Sequence, residues 1–358
     1  MPSSSGSVRQ GERTAAPRFR GRILDDRLRL LRSWLDCVLD APIDEIRAIS
    51  SDASFRRYFR VHVGGRSHIA MDAPPSQYDA RDYMRISARF RQIGLNVPRV
   101  LHSDPRRGFL LLTDLGEALY LTRLNERTVE RLYGDAMGAL RLLQGASHSD
   151  KRFLPDYDEG LLLAEMRLFH DWYLQRHLGL SLTRRQSAVL EDMFTGRAER
   201  ALAQPQVWVH RDYHSRNLLV TEEHNPGIVD FQDAVRGPVT YDLVSLLRDC
   251  YIAWPRPRVE QWVADYHAAA VSGGIPVGET PSVFLSWFDW MGVQRQLKAV
   301  GIFARLLHRD GKAGYVADIP RTLGYVFEVS ARYQELQALH RLLCELKLPG
   351  DTTTMGAT

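Results

Sequence analysis

Apolar residues recur at three- and four-residue intervals through DDRLRLLRSWLDCVLD, residues 25–40, the spacing of a helix with one buried face. Beyond IDEIRAIS the period shortens to two. RYFRVHV alternates, Gly64-Gly65 makes a turn, SHIAMD alternates again and Pro74-Pro75 ends the run, so a β-hairpin is predicted. Helical spacing returns over residues 78–93 (YDARDYMRISARFRQI) and stops at Gly94. VPRVLHSD and GFLLLTDL read as two more strands, joined by DPRRG. From Asn125 the pattern is mostly helical, broken by the short strand-like runs VWVH, NLLVT and GIVDF, and helix resumes from Tyr241 to about Leu346. The pattern predicts an α+β chain in two lobes. Residues 23–114 form a small antiparallel sheet with helices, residues 115–346 are mainly helical, and the lobes meet near LLLTDLGEALY, residues 110–120. Residues 1–22 are Ser- and Arg-rich without an apolar core, which fits a disordered extension rather than a secretory signal, and residues 347–358 are expected to be a flexible tail.

Composition narrows the class. The chain is 44% hydrophobic and 25% charged, ordinary for a globular protein of 358 residues. No apolar run approaches the roughly 20 residues of a membrane span. Cys37, Cys250 and Cys344 form no CxxC pair, which points to a reducing cytoplasm rather than a disulfide framework. Only Lys151, Lys298, Lys312 and Lys347 are lysines among 47 basic residues. Acids are interspersed and no long basic run occurs, so neither nucleic acid nor membrane is an expected partner.

VWVHRDYHSRNLLV, residues 207–220, carries the chemistry. A strand delivers the chain to His210, Arg211 and Asp212; Asn217 follows five residues later, and a turn over EEHNPG brings back Asp230. Two short paired strands would set Asn217 and Asp230 side by side. Their oxygens are hard ligands that suit Mg²⁺ carrying nucleotide phosphates, and Asp212 beside them would orient a hydroxyl. That is the part list of phosphoryl transfer to an alcohol. HRDYHSRN fits the H-R-D-L-x-x-x-N catalytic loop with Tyr213 in place of Leu.

On these motifs the chain resembles the aminoglycoside phosphotransferase family, from about Leu24 to Leu346. The resemblance implies a two-lobed, protein-kinase-like fold, with ATP and Mg²⁺ as cofactors. It makes Asp212 the catalytic aspartate, Asn217 and Asp230 the metal ligands, and His214 the family's usual histidine where protein kinases generally carry lysine. G-x-G-x-x-G and A-P-E segments are lacking, which disfavours a protein substrate. ASFRRYFRV, IAMDAPP, FLLLTDLGEALYL, FQDAVRGPVTYDLVSLLRDCYIAW and WMGVQRQLKAVGIFARL are similar to a group within that family, the anomeric kinases of N-acetylmuramate and N-acetylglucosamine in bacterial cell-wall recycling. That likeness implies phosphorylation of the sugar's C-1 hydroxyl, with the 1-phosphate passed to a uridylyltransferase.

The remaining expectations follow from the same fold. No lysine precedes Lys151, and the third strand offers Met71 and Asp72, so Arg56, Arg57 and Arg60 are the candidates to meet the nucleotide phosphates. Backbone groups of Thr113, Asp114 and Leu115 would meet the adenine edge. Asp242 resembles a family aspartate that stabilises the catalytic loop through His210. Gln232 and Asp233 are candidates to touch sugar or metal. Trp254, Trp287 and Trp290 read either as a sugar platform or as core. Arg248, Arg295 and Arg305 lie in the helical lobe, with Arg295 the choice for an acceptor carboxylate or hydroxyl. Two alternatives stay open: a kinase of another small alcohol, such as an aminoglycoside, choline-like or other sugar acceptor, and a nucleotide-binding pseudokinase scaffold. An aminoglycoside acceptor, a polycation, predicts a strongly acidic pocket; a cell-wall sugar predicts an arginine facing the acceptor.

Overall fold

The computed structural model describes residues 18–49, 56–148 and 150–350. Helix α1 (Arg18–Val38) takes in residues 18–22 of the expected extension, while residues 1–17, the start of ASFRRYFRV (residues 53–55) and residues 351–358 of the tail lie outside the described residues. Five strands follow around one helix: β1 (Ile43–Ile49), β2 (Arg57–Val63), β3 (Arg66–Asp72), α2 (Ala80–Gln92), β4 (Val100–Asp104) and β5 (Phe109–Thr113). They form one antiparallel sheet in the order β1-β2-β3-β5-β4. Alternation divides its two faces. Phe59, Val61, Ala70, Phe109 and Leu111 pack on Leu31, Trp34 and Leu35 of α1. Met71, Leu110 and Leu112 face the other way and join a core that continues into the second lobe.

Strand β1 was not predicted by the pattern, and the register explains why. A bulge between Ile43 and Glu45 breaks the two-residue alternation, so Ile43 and Ile46 both reach the α1 side at a spacing that mimics a helix.

The second lobe runs α3 (Tyr120–Arg123), α4 (Val129–Ala146), α5 (Glu159–Leu168), a π-helical stretch (Phe169–His177) and α6 (Arg184–Leu202). Four short strands come next: β6 (Gln206–Val209), β7 (Leu218–Leu219), β8 (Gly227–Ile228) and β9 (Val235–Pro238). The chain ends with α7 (Tyr241–Leu247), α8 (Arg256–Ser272), α9 (Pro281–Asp310), α10 (Ile319–Arg332) and α11 (Gln337–Glu345). β6 pairs with β9 and β7 with β8, both antiparallel. Among the described residues no helix is long and apolar enough to cross a membrane, and Cys37, Cys250 and Cys344 form no disulfide.

Two contacts tie the lobes together at the site. The Ile228 N–H donates to the Asn96 carbonyl at 2.8 Å. Phe231 lies against Tyr83 and Phe90 of α2, with ring centroids 4.8 and 5.7 Å apart. The turn that follows β8 is therefore packed on the first lobe's helix.

Helix α9 is the axis of the second lobe. The Thr280 hydroxyl caps the Val283 N–H, Pro281 opens the first turn, and Gly311 at φ 70° ends the helix. Its middle passes so close to the junction of α5 and the π-helical stretch that a Cβ on Gly301 would lie 2.3 Å from the Leu168 carbonyl carbon. Both groups are backbone and neither can swing aside. Gly301→Ala should cost about 1–3 kcal/mol by overpacking, read as a lower urea midpoint; an unchanged midpoint would refute the close approach.

Candidate active site

Strand β6 brings the chain to His210, and the loop that follows is held through both backbone and side-chain groups. Buried Asp242, in the first turn of α7, accepts the N–H groups of His210 at 2.6 Å and Arg211 at 3.0 Å. Burial pushes its carboxyl up to about 7, against those two donors, which favour the ionised form. Asp242 thus holds the main chain of His210 and Arg211 rather than the His210 ring. The His210 ring has its own task. Burial lowers its pKa to about 4, so it is neutral. Nε2–H donates to the Val229 carbonyl at 3.0 Å and Nδ1 accepts the Asp212 N–H at 3.3 Å. One imidazole therefore ties the base of the loop to the residue before Asp230.

The turn closes with the His214 N–H on the Asp212 carbonyl, 3.0 Å, and the Asn217 N–H on the His214 carbonyl, 2.9 Å. The Asn217 side-chain Nδ2 also donates to the Asp212 carbonyl at 3.0 Å, which directs Oδ1 away from the loop. Pairing of β7 with β8, and a bond from the Val229 N–H to the Asn217 carbonyl at 3.1 Å, set Asp230 beside Asn217. Asp230 adopts φ 63°, a left-handed conformation that costs a non-glycine residue about 1–3 kcal/mol.

Electrostatics separate the two aspartates. Burial opposes ionisation of Asp212, but Lys298, His214, Arg211 and Arg295 outweigh it and hold the carboxyl down at about 2. Asp230 is shifted upward, first by burial and then by the charge of Asp212. Among the described residues no three His, Cys, Asp or Glu side chains form a metal cage. The Asn217–Asp230 pair suits instead a cation that keeps phosphate and water ligands, as Mg²⁺ does.

The three N-lobe arginines part company. Arg56 places its guanidinium 3.5 Å from Asp230 Oδ1 and 3.6 Å from Asp233 Oδ2, across the Tyr78 ring. Arg60 is on the same side and pairs with Asp114 at 2.5 and 3.0 Å and with the Gly116 carbonyl at 3.0 Å. Arg57 lies on the α1 face. It shares buried Asp72 with Arg27 and stacks on Phe59, so the sheet separates it from the cleft. The expectation for Arg57 is corrected accordingly: alternation along β2 turns it away from the nucleotide side. Asp72, on the third strand, is the carboxylate that these two arginines neutralise. At the hinge the Thr113 N–H donates to the Arg99 carbonyl and its hydroxyl accepts the Arg99 N–H, both at 2.9 Å, so Thr113 serves the strand. Asp114 and Leu115 follow it.

A recess opens beside Asp212, lined by His214, Tyr241, Cys250, Tyr251, Arg295, Lys298, Ala299, Ile302 and Phe303. Asn217 and Asp230 are not among its walls. Gln232 donates to Asp230 Oδ1 and Asp233 Oδ2, both at 2.9 Å, and so lies on the Asp230 side rather than in the recess. Tyr251 stacks edge-on against His214 at 5.4 Å and lies 6.2 Å from Phe303. The tryptophans are elsewhere: Trp254 is core and donates to the Tyr133 hydroxyl at 3.0 Å, Trp290 lies against Arg197 and Arg200, and Trp287 packs beside Gly278. Arg248 pairs with Glu328 at 2.8 Å, and Arg305 does not line the recess.

Residues 45–278 match the model of the phosphotransferase enzyme family. The chain belongs to this family. It is 44% identical over 333 residues to the N-acetylmuramate/N-acetylglucosamine kinase of Pseudomonas putida, covering 90% of this chain and 97% of that protein. It is 43% identical over 321 residues to the protein of the same name from Neisseria meningitidis, covering 88% and 95%. Its fold superposes on the choline kinase LicA of Streptococcus pneumoniae with a TM-score of 0.62 at 10% identity, over 86% of this chain and 100% of that one. This two-lobed phosphotransferase is thus kinase-like in fold, as its sequence implied.

Two charged groups of the site, Lys298 and Glu165, are not singled out by the sequence motifs. Lys298 on α9 sits with Asp212 in the recess and donates to Glu165 at 3.0 Å and to the Tyr241 hydroxyl at 2.9 Å. Glu165 on α5 is buried and also receives Arg211 and the Tyr157 hydroxyl. Each had a signal. Lys298 is one of four lysines and stands in an apolar helical run, and Glu165 is a lone acid within LLLAEM.

Proposed function

We propose that this phosphotransferase is an ATP-dependent kinase that phosphorylates the anomeric hydroxyl of N-acetylmuramate and N-acetylglucosamine. The observation that carries this reading is the character of the recess beside Asp212. It presents Arg295, Lys298 and an aromatic wall of Tyr251 and Phe303, where a polycationic acceptor would want clustered acids. Relatives 44% and 43% identical over their matched lengths are named N-acetylmuramate/N-acetylglucosamine kinase, which supports the choice of acceptor.

The chemistry follows from the positions. The sugar enters the recess with C-1 toward Asp212. The anomeric oxygen attacks the γ-phosphorus, its proton passes to the Asp212 carboxylate, the bond to the bridging oxygen breaks and ADP leaves. An anomeric hydroxyl is more acidic than an ordinary alcohol, so Asp212 need only accept its proton late. Mg²⁺, when bound through Asn217 Oδ1 and Asp230, would neutralise charge on the nucleotide phosphates. Arg56 is aimed at the same region and is the N-lobe cation we assign to the phosphates, with Arg60 behind it holding the hinge through Asp114. Backbone groups of Asp114 and Leu115 face the adenine. The product is a sugar 1-phosphate for a uridylyltransferase, and the reaction belongs to the cytoplasm.

ADP release with Mg²⁺-ATP across N-acetylmuramate, N-acetylglucosamine, glucose, kanamycin and choline tests the proposal. Turnover of the two N-acetyl sugars, with a phosphorus NMR signal of an anomeric phosphate, is expected. Turnover of kanamycin or choline alone would overturn the substrate, and nucleotide binding without turnover of any acceptor would favour the scaffold.

A further inference from the structure

Three cations surround Asp212 from the second lobe, and they differ in what they already hold. Arg211 is paired with Glu165. Lys298 shares the same carboxylate and also donates to the Tyr241 hydroxyl. Arg295, three residues before Lys298 on α9, is equally buried at 5% exposure. Among the described residues no carboxylate pairs with it. Its Nη1 is 3.6 Å from the Cys250 Sγ, a weak acceptor, and its Nε is buried without a hydrogen-bond partner. Nearby Asp249 is occupied otherwise, accepting the N–H groups of Ser215 at 2.9 Å and Tyr251 at 3.0 Å.

A buried guanidinium with an unpartnered donor is costly unless an anion completes it. The anion has to come from the recess that Arg295 lines. That recess lies on the acceptor side of Asp212, since neither Asn217 nor Asp230 contributes to its walls. The two acceptors proposed above differ there by one anionic group, the lactyl carboxylate on C-3 of N-acetylmuramate. We infer that Arg295 reads this carboxylate, and that it sets the preference of the enzyme for the acidic over the neutral sugar. The inference rests on the functional reading given above. Planar guanidinium and planar carboxylate match in two-point geometry, which lysine cannot reproduce. N-acetylglucosamine, lacking the group, leaves Arg295 to water.

The test uses the full chain, Mg²⁺-ATP, both sugars and N-acetylmuramate whose lactyl carboxylate has been converted to the amide. In the wild type the amide should lose about 10–100-fold in kcat/KM against the acid, the worth of a hydrogen-bonded charge pair. Arg295→Gln should lower turnover of both sugars, because the recess is shared. It should also reduce the ratio of kcat/KM for N-acetylmuramate over N-acetylglucosamine by a further 10–100-fold, roughly the same pair energy. The acid and the amide should then become nearly equal. Arg295→Lys should recover part of the ratio. If the ratio is unchanged while both sugars lose equally, the guanidinium serves the transferred phosphoryl group or the fold, and the inference falls. A wild type that treats acid and amide alike overturns it without any variant. A wild type that turns over neither sugar overturns the functional reading itself.

Discussion

Asp212→Asn should lower kcat by about 10²–10⁴-fold, the usual worth of a positioned general base, while the KM for ATP changes little. The substitution is unusually clean here. Among the described residues, the hydrogen bonds that hold residue 212 in the loop run through its backbone: its N–H to His210 and its carbonyl to His214 and Asn217. Asparagine keeps all of them and keeps the side-chain shape. What it removes is the negative charge that Lys298, His214, Arg211 and Arg295 stabilise, and with it the acceptor proposed for the anomeric proton. The side assigned above to the nucleotide, with Asn217, Asp230 and Arg56, is untouched. Steady-state ADP release with N-acetylmuramate measures the fall, and nucleotide titration by calorimetry checks that binding survives. Activity within about tenfold of wild type would mean that positioning and charge neutralisation carry the reaction alone, and would remove Asp212 from its role as base.

The sequence reading was strongest where chemistry is local along the chain. His210, Asp212, Asn217 and Asp230 fall within twenty-one consecutive positions, and two paired strands were enough to bring them together. Asp242 was legible because a motif held it, although its partners are main-chain groups that no residue pattern displays. Reading failed where function depends on which face of an element a residue takes. Arg56, Arg57 and Arg60 look interchangeable in SFRRYFR, yet alternation sends Arg57 to α1 and leaves the other two on the cleft side. It also failed where distant helices supply the site. Glu165 and Lys298 are 133 positions apart and meet only because Gly301 lets α9 close onto the end of α5. The tryptophans are left open between sugar platform and core for the opposite reason. Their size suits a sugar platform and a core equally, and only packing separates the two. The recess uses Tyr251 and Phe303 instead.

Glu165→Ala should destabilise the fold by about 3–5 kcal/mol, the range for removing one partner of a buried charge cluster. The carboxylate is 8% exposed and stands between Arg211 and Lys298. Without it, buried Lys298 and part-buried Arg211 lose the carboxylate they share. The Tyr157 hydroxyl loses its acceptor as well. Catalysis should fall with stability, because Arg211 immediately precedes the base and would be drawn toward it. Glu165→Gln separates the two components: it keeps an acceptor for Tyr157 and Lys298 and removes only the charge. The pH dependence fixes the sign. Burial works against ionisation of Glu165, but Lys298 and Arg211 outweigh it and leave the carboxyl below the ordinary glutamate range. A carboxyl depressed in the folded state contributes stability that is complete above its unfolded pKa and is lost as pH falls through its folded one. The gap in urea midpoint between wild type and Glu165→Gln should therefore be full at neutral pH and narrow on acidification below the ordinary glutamate range. A gap that stays constant through that range would show that Glu165 acts as a hydrogen-bond acceptor rather than as the counter-charge. Arg211 and Lys298 would then have to be balanced by Asp212 itself, and the depressed pKa of the base would be the consequence of an unpaired cation pair rather than of a tuned site.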